Sequence, residues 1–462
     1  MVRKAPGAGG NMSNERMAVV IAMLTFISLV FYTPHADNSQ VVTRMGLALS
    51  IVEDGKLTID RFADLTVDKA LVDGHYYADK APGLSLLAVP PVWLVKTTRT
   101  LLGISENSSD ERVFIFYAQI GTLIVVGLPA AIAAALVFLM ALRLGASQRA
   151  ALFGSLAMAI GSPFFFWSTT FFAHSLVGSL LVFVLALAID RERWDIGRGL
   201  AVGLVAGLTV VVDFVGGFAM LVAGAVLAVT AWRPMIAAHA RFAAGVVAGA
   251  VVGVLPLLIY NYFAFGSPFQ LGYMSVVGFE GMKSGFFGIG LPNPVVIVEL
   301  LFGGYRGLLP YVPVLALAPF GLVAMSRRAA NRPTVNVVVA VALTLILINA
   351  GYFYWQGGWS TGPRHIVPML PLLGLAVACG LPAGRWWRAA AFVLLAWGFA
   401  MAALVASTWI FADEKIAWPF VDMFMGAALE PAVWLNMALM LPAWIGFVLL
   451  YRRASASVPG AQ

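Results

Sequence analysis

The feature that most constrains this chain is a succession of apolar runs, each near the roughly 20 residues a helix needs to cross a bilayer. They fall near 17–34, 113–141, 150–168, 172–189, 199–215, 217–232, 242–263, 307–325, 334–353, 366–382, 389–411 and 431–450. Twelve such runs, with 61% of 462 residues hydrophobic and 11% charged, describe an all-α polytopic membrane protein. A soluble chain carries roughly 25% charged residues. The one cysteine, Cys379, sits inside an apolar run, which excludes a disulfide framework and a cysteine metal cluster.

Charge then sets the topology. Twelve spans leave both termini on one side, and loops rich in Lys and Arg stay cytoplasmic. Loops of that parity, with the N-terminus, hold 17 of the 29 basic residues, among them Arg143, Arg149, Arg198, Arg328, Arg332 and Arg388. Eighteen of the 22 acids fall on the other side. The net charge of +7 is therefore a matter of orientation and not a nucleic-acid interface. The first span follows Arg3, Lys4 and Arg16 and ends in FYTPHAD without a small-residue cleavage site, so it reads as an anchor. The expected organisation is a cytoplasmic tail (1–16), one transmembrane domain (17–453) and a disordered cytoplasmic tail (454–462).

One segment resists hydropathy. Residues 82–102 look like a helix, yet a crossing there would move nearly every later Arg cluster outside. Pro90 and Pro91 lie in its middle, where they remove helical hydrogen bonds. It is expected as a bent, re-entrant or interfacial piece on the outer face, part of a long external loop over 35–112. Further external segments are 264–306, rich in Gly, Pro and aromatics, then 354–365 (YWQGGWSTGPRH) and 412–430.

Ionisable groups near the apolar slab are costly and point by default into a bundle or cavity. Those at outer helix ends or in external loops are Asp37, His75, Tyr76, Tyr77, Asp79, Lys80, His174, Asp213, Tyr305, Arg306, Trp355, Arg364 and His365. Asp37, just past the first span, suits a general base toward a hydroxyl. Lys80 lies in DKAPG, where Pro82 and Gly83 set a turn that can aim its ammonium at a phosphate. Arg306 (FGGYRG) and Arg364 (GGWSTGPRH) offer a bidentate fork for phosphate oxygens. His174 opens a span on the same face. Asp37 and His174 are also the residues a divalent metal would take, although no cofactor is demanded. Glu53, Asp54, Asp60, Asp64 and Asp68 read as the solvated face of amphipathic segments.

With Asp37, the run DGHYYADKAPGLSLLAVP and GGWSTGPRH in view, the chain resembles the GT-C superfamily of membrane glycosyltransferases, in particular the bacterial family 39 and ArnT-like branch. In that family an acid ends the first span, and a long external loop with juxtamembrane helices carries a tyrosine-rich stretch and a Lys-Pro-Pro-like motif. Asp37 matches the acid. Tyr76 to Gly83 matches the motif, with Ala81 in place of its first proline; Asn38 stands where many relatives have a second acid. The resemblance implies transfer of a sugar from a polyprenyl-phosphate donor to a hydroxyl on a lipid, glycan or protein, at the periplasmic face of the inner membrane. Asp37 would be the base of an inverting displacement. Lys80, Arg306, Arg364 and His365 would hold the donor phosphate, and His75, Tyr76, Tyr77, Asp79, His174, Tyr305 and Trp355 would line the substrate pocket. Membrane lipids would surround it. A twelve-span secondary transporter is the competing class, and a non-catalytic GT-C-like scaffold the third. A carrier needs charge near the midplane and repeated halves; here the midplanes are nearly free of charge and the polar groups crowd one face.

Overall fold

The computed structural model describes residues 12–32, 38–190, 193–232 and 239–455. The first helix, α1 (Asn14–Phe31), starts at Ser13, whose hydroxyl accepts the Arg16 N–H. Asp37 lies outside the described residues. From Asn38 the chain enters the long excursion. Asn38 caps α2 (Ser39–Asp54) by accepting the Gln40 N–H at 2.9 Å. Every residue of α2 from Val41 to Ser50 is buried. An amphipathic surface helix would bury one stripe; α2 is instead covered all round. A 3-10 turn (Asp60–Leu65) follows, and then a hairpin of β1 (Ala70–Val72) and β2 (His75–Tyr77). The register pairs Ala70 with Tyr77 and Val72 with His75. Asp73 and Gly74, both with positive φ, make its two-residue turn, the Asp-Gly signature whose twist matches paired strands.

The segment expected to be bent, re-entrant or interfacial is one helix, α3 (Gly83–Leu101), which runs through Pro90 and Pro91. The prolines cost it donors to two carbonyls, and it packs against α2, α4 and α9. It is not among the described helices long and apolar enough to span. Next come α4 (Glu111–Gly121) and α5 (Leu128–Arg143), joined through a π-helical turn into one 33-residue apolar span. Then follow α6 (Gln148–Ala159), α7 (Pro163–Ser168), α8 (Ala173–Ala188), α9 (Ile196–Val212), α10 (Phe214–Leu227) and α11 (Ala240–Phe265).

Helices α9 and α11 pack through facing glycines, Gly199, Gly203 and Gly207 against Gly245, Gly249 and Gly253. A Cβ at any of the six would sit 2.0–2.5 Å from a backbone oxygen of the other helix. In lipid, where apolar burial gives no drive, such close approach supplies the packing.

After α12 (Pro294–Phe302) the chain continues through α13 (Ala318–Ser326), α14 (Arg332–Gly351), α15 (Leu370–Cys379) and α16 (Arg385–Ser407). It ends with α17 (Pro419–Leu429), α18 (Pro431–Ala438) and α19 (Leu441–Arg453). Each of the twelve apolar runs overlaps a described helix. Among the described residues six helices are long and apolar enough to cross a membrane, with five shorter apolar ones beside them. The stretch 412–430, expected as a loop, contains α17.

Loops gather at two ends. Asn331 donates to the Leu144 carbonyl (3.1 Å), Gln148 to Asn14 Oδ1 (2.7 Å) and Arg149 to the Ala454 carbonyl (3.0 Å), so the Arg-rich loops share one end. At the other end, residues 266–293 arch from the hairpin to α14. Val277 N–H donates to the Lys69 carbonyl (3.0 Å) and Gly290 N–H to the Gly351 carbonyl (2.8 Å).

Candidate active site

Beneath that arch lies a cavity of about 1020 Å³, at the upper limit of ordinary ligand sites. It has two parts. Its head is polar: Gln40 and Arg44 of α2, Asp68, Asp79 and Lys80 of the excursion, His174 at the start of α8, Asp213, and Arg364 and His365 after the Gly-rich turn. Its other part is an apolar slot lined by Phe214, Phe218 and Leu221 of α10 and by Leu345 and Ile348 of α14. Phe218 and Leu221 are 44% and 69% exposed. The slot therefore opens sideways at the bundle surface, where lipid would lie.

Two guanidiniums dominate the head. Arg44 and Arg364 are 4% and 6% exposed. Each guanidinium carbon is 5.6 Å from the centroid of the Phe172 ring, so the two lie at most twice that distance apart. Arg44 donates to Gln40 Oε1 at 2.7 Å. Among the described residues neither arginine has a carboxylate within ion-pair distance. The Nε atoms of both, and the Nε2 atoms of His174 and His365, are buried without a hydrogen-bond partner. The two imidazoles meet edge-on with centroids 5.4 Å apart. Leaving such charges unpaired costs several kcal/mol each. Guanidiniums without a carboxylate partner suit an anion, and their positive charge disfavours a divalent cation at the histidine pair. No described group of three His, Cys, Asp or Glu side chains has metal-binding geometry.

Lys80 is different. Its ammonium donates to Asp79 Oδ2 (2.6 Å) and Asp68 Oδ1 (2.8 Å). Burial alone would lower its pKa; the two carboxylates outweigh burial and hold it above the ordinary lysine value. Burial raises the Asp79 carboxyl, Lys80 opposes and Asp68 adds to the rise. Lys80 is thus a clamped charge at the cavity wall, while Asp79 Oδ1 keeps no partner. Asp213 both ends α9 and starts α10, its Oδ1 accepting the Gly216 N–H at 2.7 Å.

The Gly-rich turn sets how close the head groups come. Gly357 has φ +76, and a Cβ there would lie 2.8 Å from Arg364 Nε and 3.2 Å from His365 Nε2. Glycine is needed on both counts.

Of the residues singled out from sequence, the cavity brings together Asp79, Lys80, His174, Asp213, Arg364 and His365. Asn38, next to Asp37 in the chain, lines it too. Arg306 does not reach it. That side chain is fully buried, and its Nε and Nη2 donate to the carbonyls of Gln356 and Gly358, both at 3.0 Å, so it clamps the turn from behind. Tyr305 donates to the Glu414 carbonyl and Trp355 packs edge-on against it, both outside the cavity. His75 pairs with Asp60 at 2.8 Å in the exposed hairpin. Tyr76 lies under the Lys69 ammonium and Tyr77 against Phe265. Asp68, read as a solvated acid, is buried 6% exposed against Lys80, because the excursion folds back onto the bundle. Arg44, Gln40, Tyr273 and Tyr352 line the cavity without having been singled out. The available signal for Arg44 was its isolation in VVTRMGLAL, a cation alone among apolar residues.

No protein-family model matches the chain, and no curated protein does. Solved structures do. A crystal structure of ArnT from Cupriavidus metallidurans bound to undecaprenyl phosphate aligns over 95% of this chain and 77% of that one, with a TM-score of 0.53 and 17% identity. The apo form of the same protein aligns over 95% and 76%, with a TM-score of 0.52 and 16% identity. Identity this low speaks for the fold. The chain shares the membrane fold of ArnT, the fold expected from the motifs around Asp37 and Lys80.

Proposed function

We propose that the protein is an integral-membrane glycosyltransferase that moves a sugar from a polyprenyl-phosphate donor to a hydroxyl acceptor, at the outer face of the inner membrane. The observation that carries this reading is one cavity joining two buried guanidiniums, neither with a carboxylate partner among the described residues, to an apolar slot open at the side of the bundle. A lipid phosphate has that same pair of properties. The ArnT structure that shares the fold holds undecaprenyl phosphate. Charged groups at one end of the bundle suit one-sided chemistry better than alternating access. The Arg-rich loops, at the opposite end, would be cytoplasmic.

In the proposed reaction the donor phosphate sits by Arg44, Arg364 and the two histidines, with its prenyl chain in the slot. Asp37 takes the proton of the acceptor hydroxyl as its oxygen attacks the anomeric carbon, and the bond from that carbon to the phosphate oxygen breaks on the opposite face. The configuration inverts. Charge leaves the sugar, which acquires oxocarbenium character, and gathers on the departing phosphate. That group needs no proton; it needs fixed positive charge, which the guanidiniums supply without reorganisation. Lys80, flanked by two carboxylates, shapes the wall and is not a free anion site.

The test is transfer from radiolabelled undecaprenyl-phosphate sugars in membranes carrying Asp37→Asn. Loss of about 10²- to 10⁴-fold is expected of a general base. Undiminished transfer would remove Asp37 from the mechanism and favour a scaffold.

A further inference from the structure

Every residue from Gly357 to Arg364 is buried except Trp359, which is 58% exposed and lines the cavity. The backbone on both sides of it is pinned. Arg306 holds the Gly358 carbonyl at 3.0 Å, Ser360 N–H donates to the Ala412 carbonyl at 2.9 Å, and Thr361 N–H to the Ile410 carbonyl at 2.9 Å. The Thr361 hydroxyl adds a bond to the Trp409 carbonyl at 2.6 Å. Neither face of the indole packs on another described ring, and its N–H donates to no described protein group. A membrane-belt tryptophan would sit in a lipid-facing helix end. This one stands alone on a rigid turn at the mouth of a reactive cavity.

Its distance from the anion site is short. Gly357, two residues back, abuts Arg364 and His365, and consecutive Cα atoms are about 3.8 Å apart. Tryptophan suits a pyranose ring: a broad apolar face for the axial C–H groups and a free N–H edge for a hydroxyl.

We infer that Trp359 is the stacking platform of a saccharide subsite beside the guanidinium pair. The inference rests on the glycosyltransferase reading and deepens it. The donor's own lipid is served by Phe214, Phe218 and Leu221 in the slot.

The full-length protein in nanodiscs, probed by saturation-transfer NMR with methyl β-D-glucopyranoside and with acyclic sorbitol, tests this. Wild type should transfer saturation to the ring protons of the glycoside and not to sorbitol. Trp359→Phe should keep a weaker signal, while Trp359→Leu, of similar apolarity but without a face, should lose it by about 10-fold or more. Undecaprenyl phosphate should bind all three forms equally. A glycoside signal that survives in Trp359→Leu, that is absent in wild type or that sorbitol matches overturns the inference and leaves the donor site standing. Lost undecaprenyl phosphate binding in Trp359→Leu would assign the indole to the lipid and overturn it as well. If wild type fails to bind undecaprenyl phosphate, the glycosyltransferase reading fails and this inference with it.

Discussion

The two ends of the bundle use arginine in opposite ways. At the Arg-rich end the chain completes its own cations: Arg198 donates to the Leu187 carbonyl at 2.7 Å, Arg332 to the Ser326 carbonyl at 3.2 Å, and Arg149 to the Ala454 carbonyl at 3.0 Å. These carbonyls lie at helix C-termini, where positive charge is favourable. At the cavity end Arg44 and Arg364 are more deeply buried, yet the described chain gives them no carboxylate. Depth and residue type do not separate an anchor from a ligand site; what separates them is whether the protein supplies the partner. By that criterion Arg306, caged by carbonyls, sorts with the far end although it lies near the cavity.

The largest effect should come from Lys80. Replacing it with methionine leaves Asp68 and Asp79 facing each other without a cation, at a cost of about 3–5 kcal/mol. Chemical denaturation of the detergent-solubilised protein measures it, and adding Asp68→Asn with Asp79→Asn should recover most of the loss. If Lys80→Met is as stable as wild type, Lys80 is free and the contrast between clamped and unclamped cations collapses. A smaller effect is expected at Arg306. Arg306→Met strands two buried carbonyls for about 1–3 kcal/mol, read in the same denaturation, and should leave undecaprenyl phosphate affinity within about 3-fold. A large loss of affinity would return Arg306 to the anion site.

The smallest concerns acid. Glu53 joins α2 to α3 through Lys96 (2.6 Å) and also binds Arg61 (2.5 Å). Burial would raise its carboxyl, but hydrogen bonds from Lys96, Ser108 and Arg61 outweigh that and lower it. A lowered folded pKa gives stability that is complete above the unfolded value, about 4.3, and is lost as pH falls through the folded value. The loss should not exceed about 1 kcal/mol for a partly solvated cluster, and Glu53→Gln should remove that pH dependence.

Much of the architecture was legible because hydropathy marks spans without needing tertiary contacts; each of the twelve runs overlaps a described helix. What hydropathy cannot carry is how the excursion folds. Asp68 looks like a surface acid in an amphipathic stretch, and only the return of the chain onto the bundle buries it beside Lys80. Arg44 sits in a helix whose complete burial comes from neighbours distant in sequence. Arg306 and Arg364 follow similar Gly-rich turns; the carbonyl cage that distinguishes them comes from residues 356 and 358, about fifty positions beyond Arg306. The prolines of α3 point to a bent or re-entrant piece, and the helix runs through them.

The most direct test of the central claim is the affinity of the purified protein for undecaprenyl phosphate, measured for wild type and for Arg44→Ala/Arg364→Ala. Removing two buried charges that have no carboxylate partner among the described residues should leave folding stability equal or higher while weakening binding about 10²-fold or more, the scale of about 3 kcal/mol. Binding undiminished in a folded double variant would contradict the assignment of this cavity to a lipid phosphate.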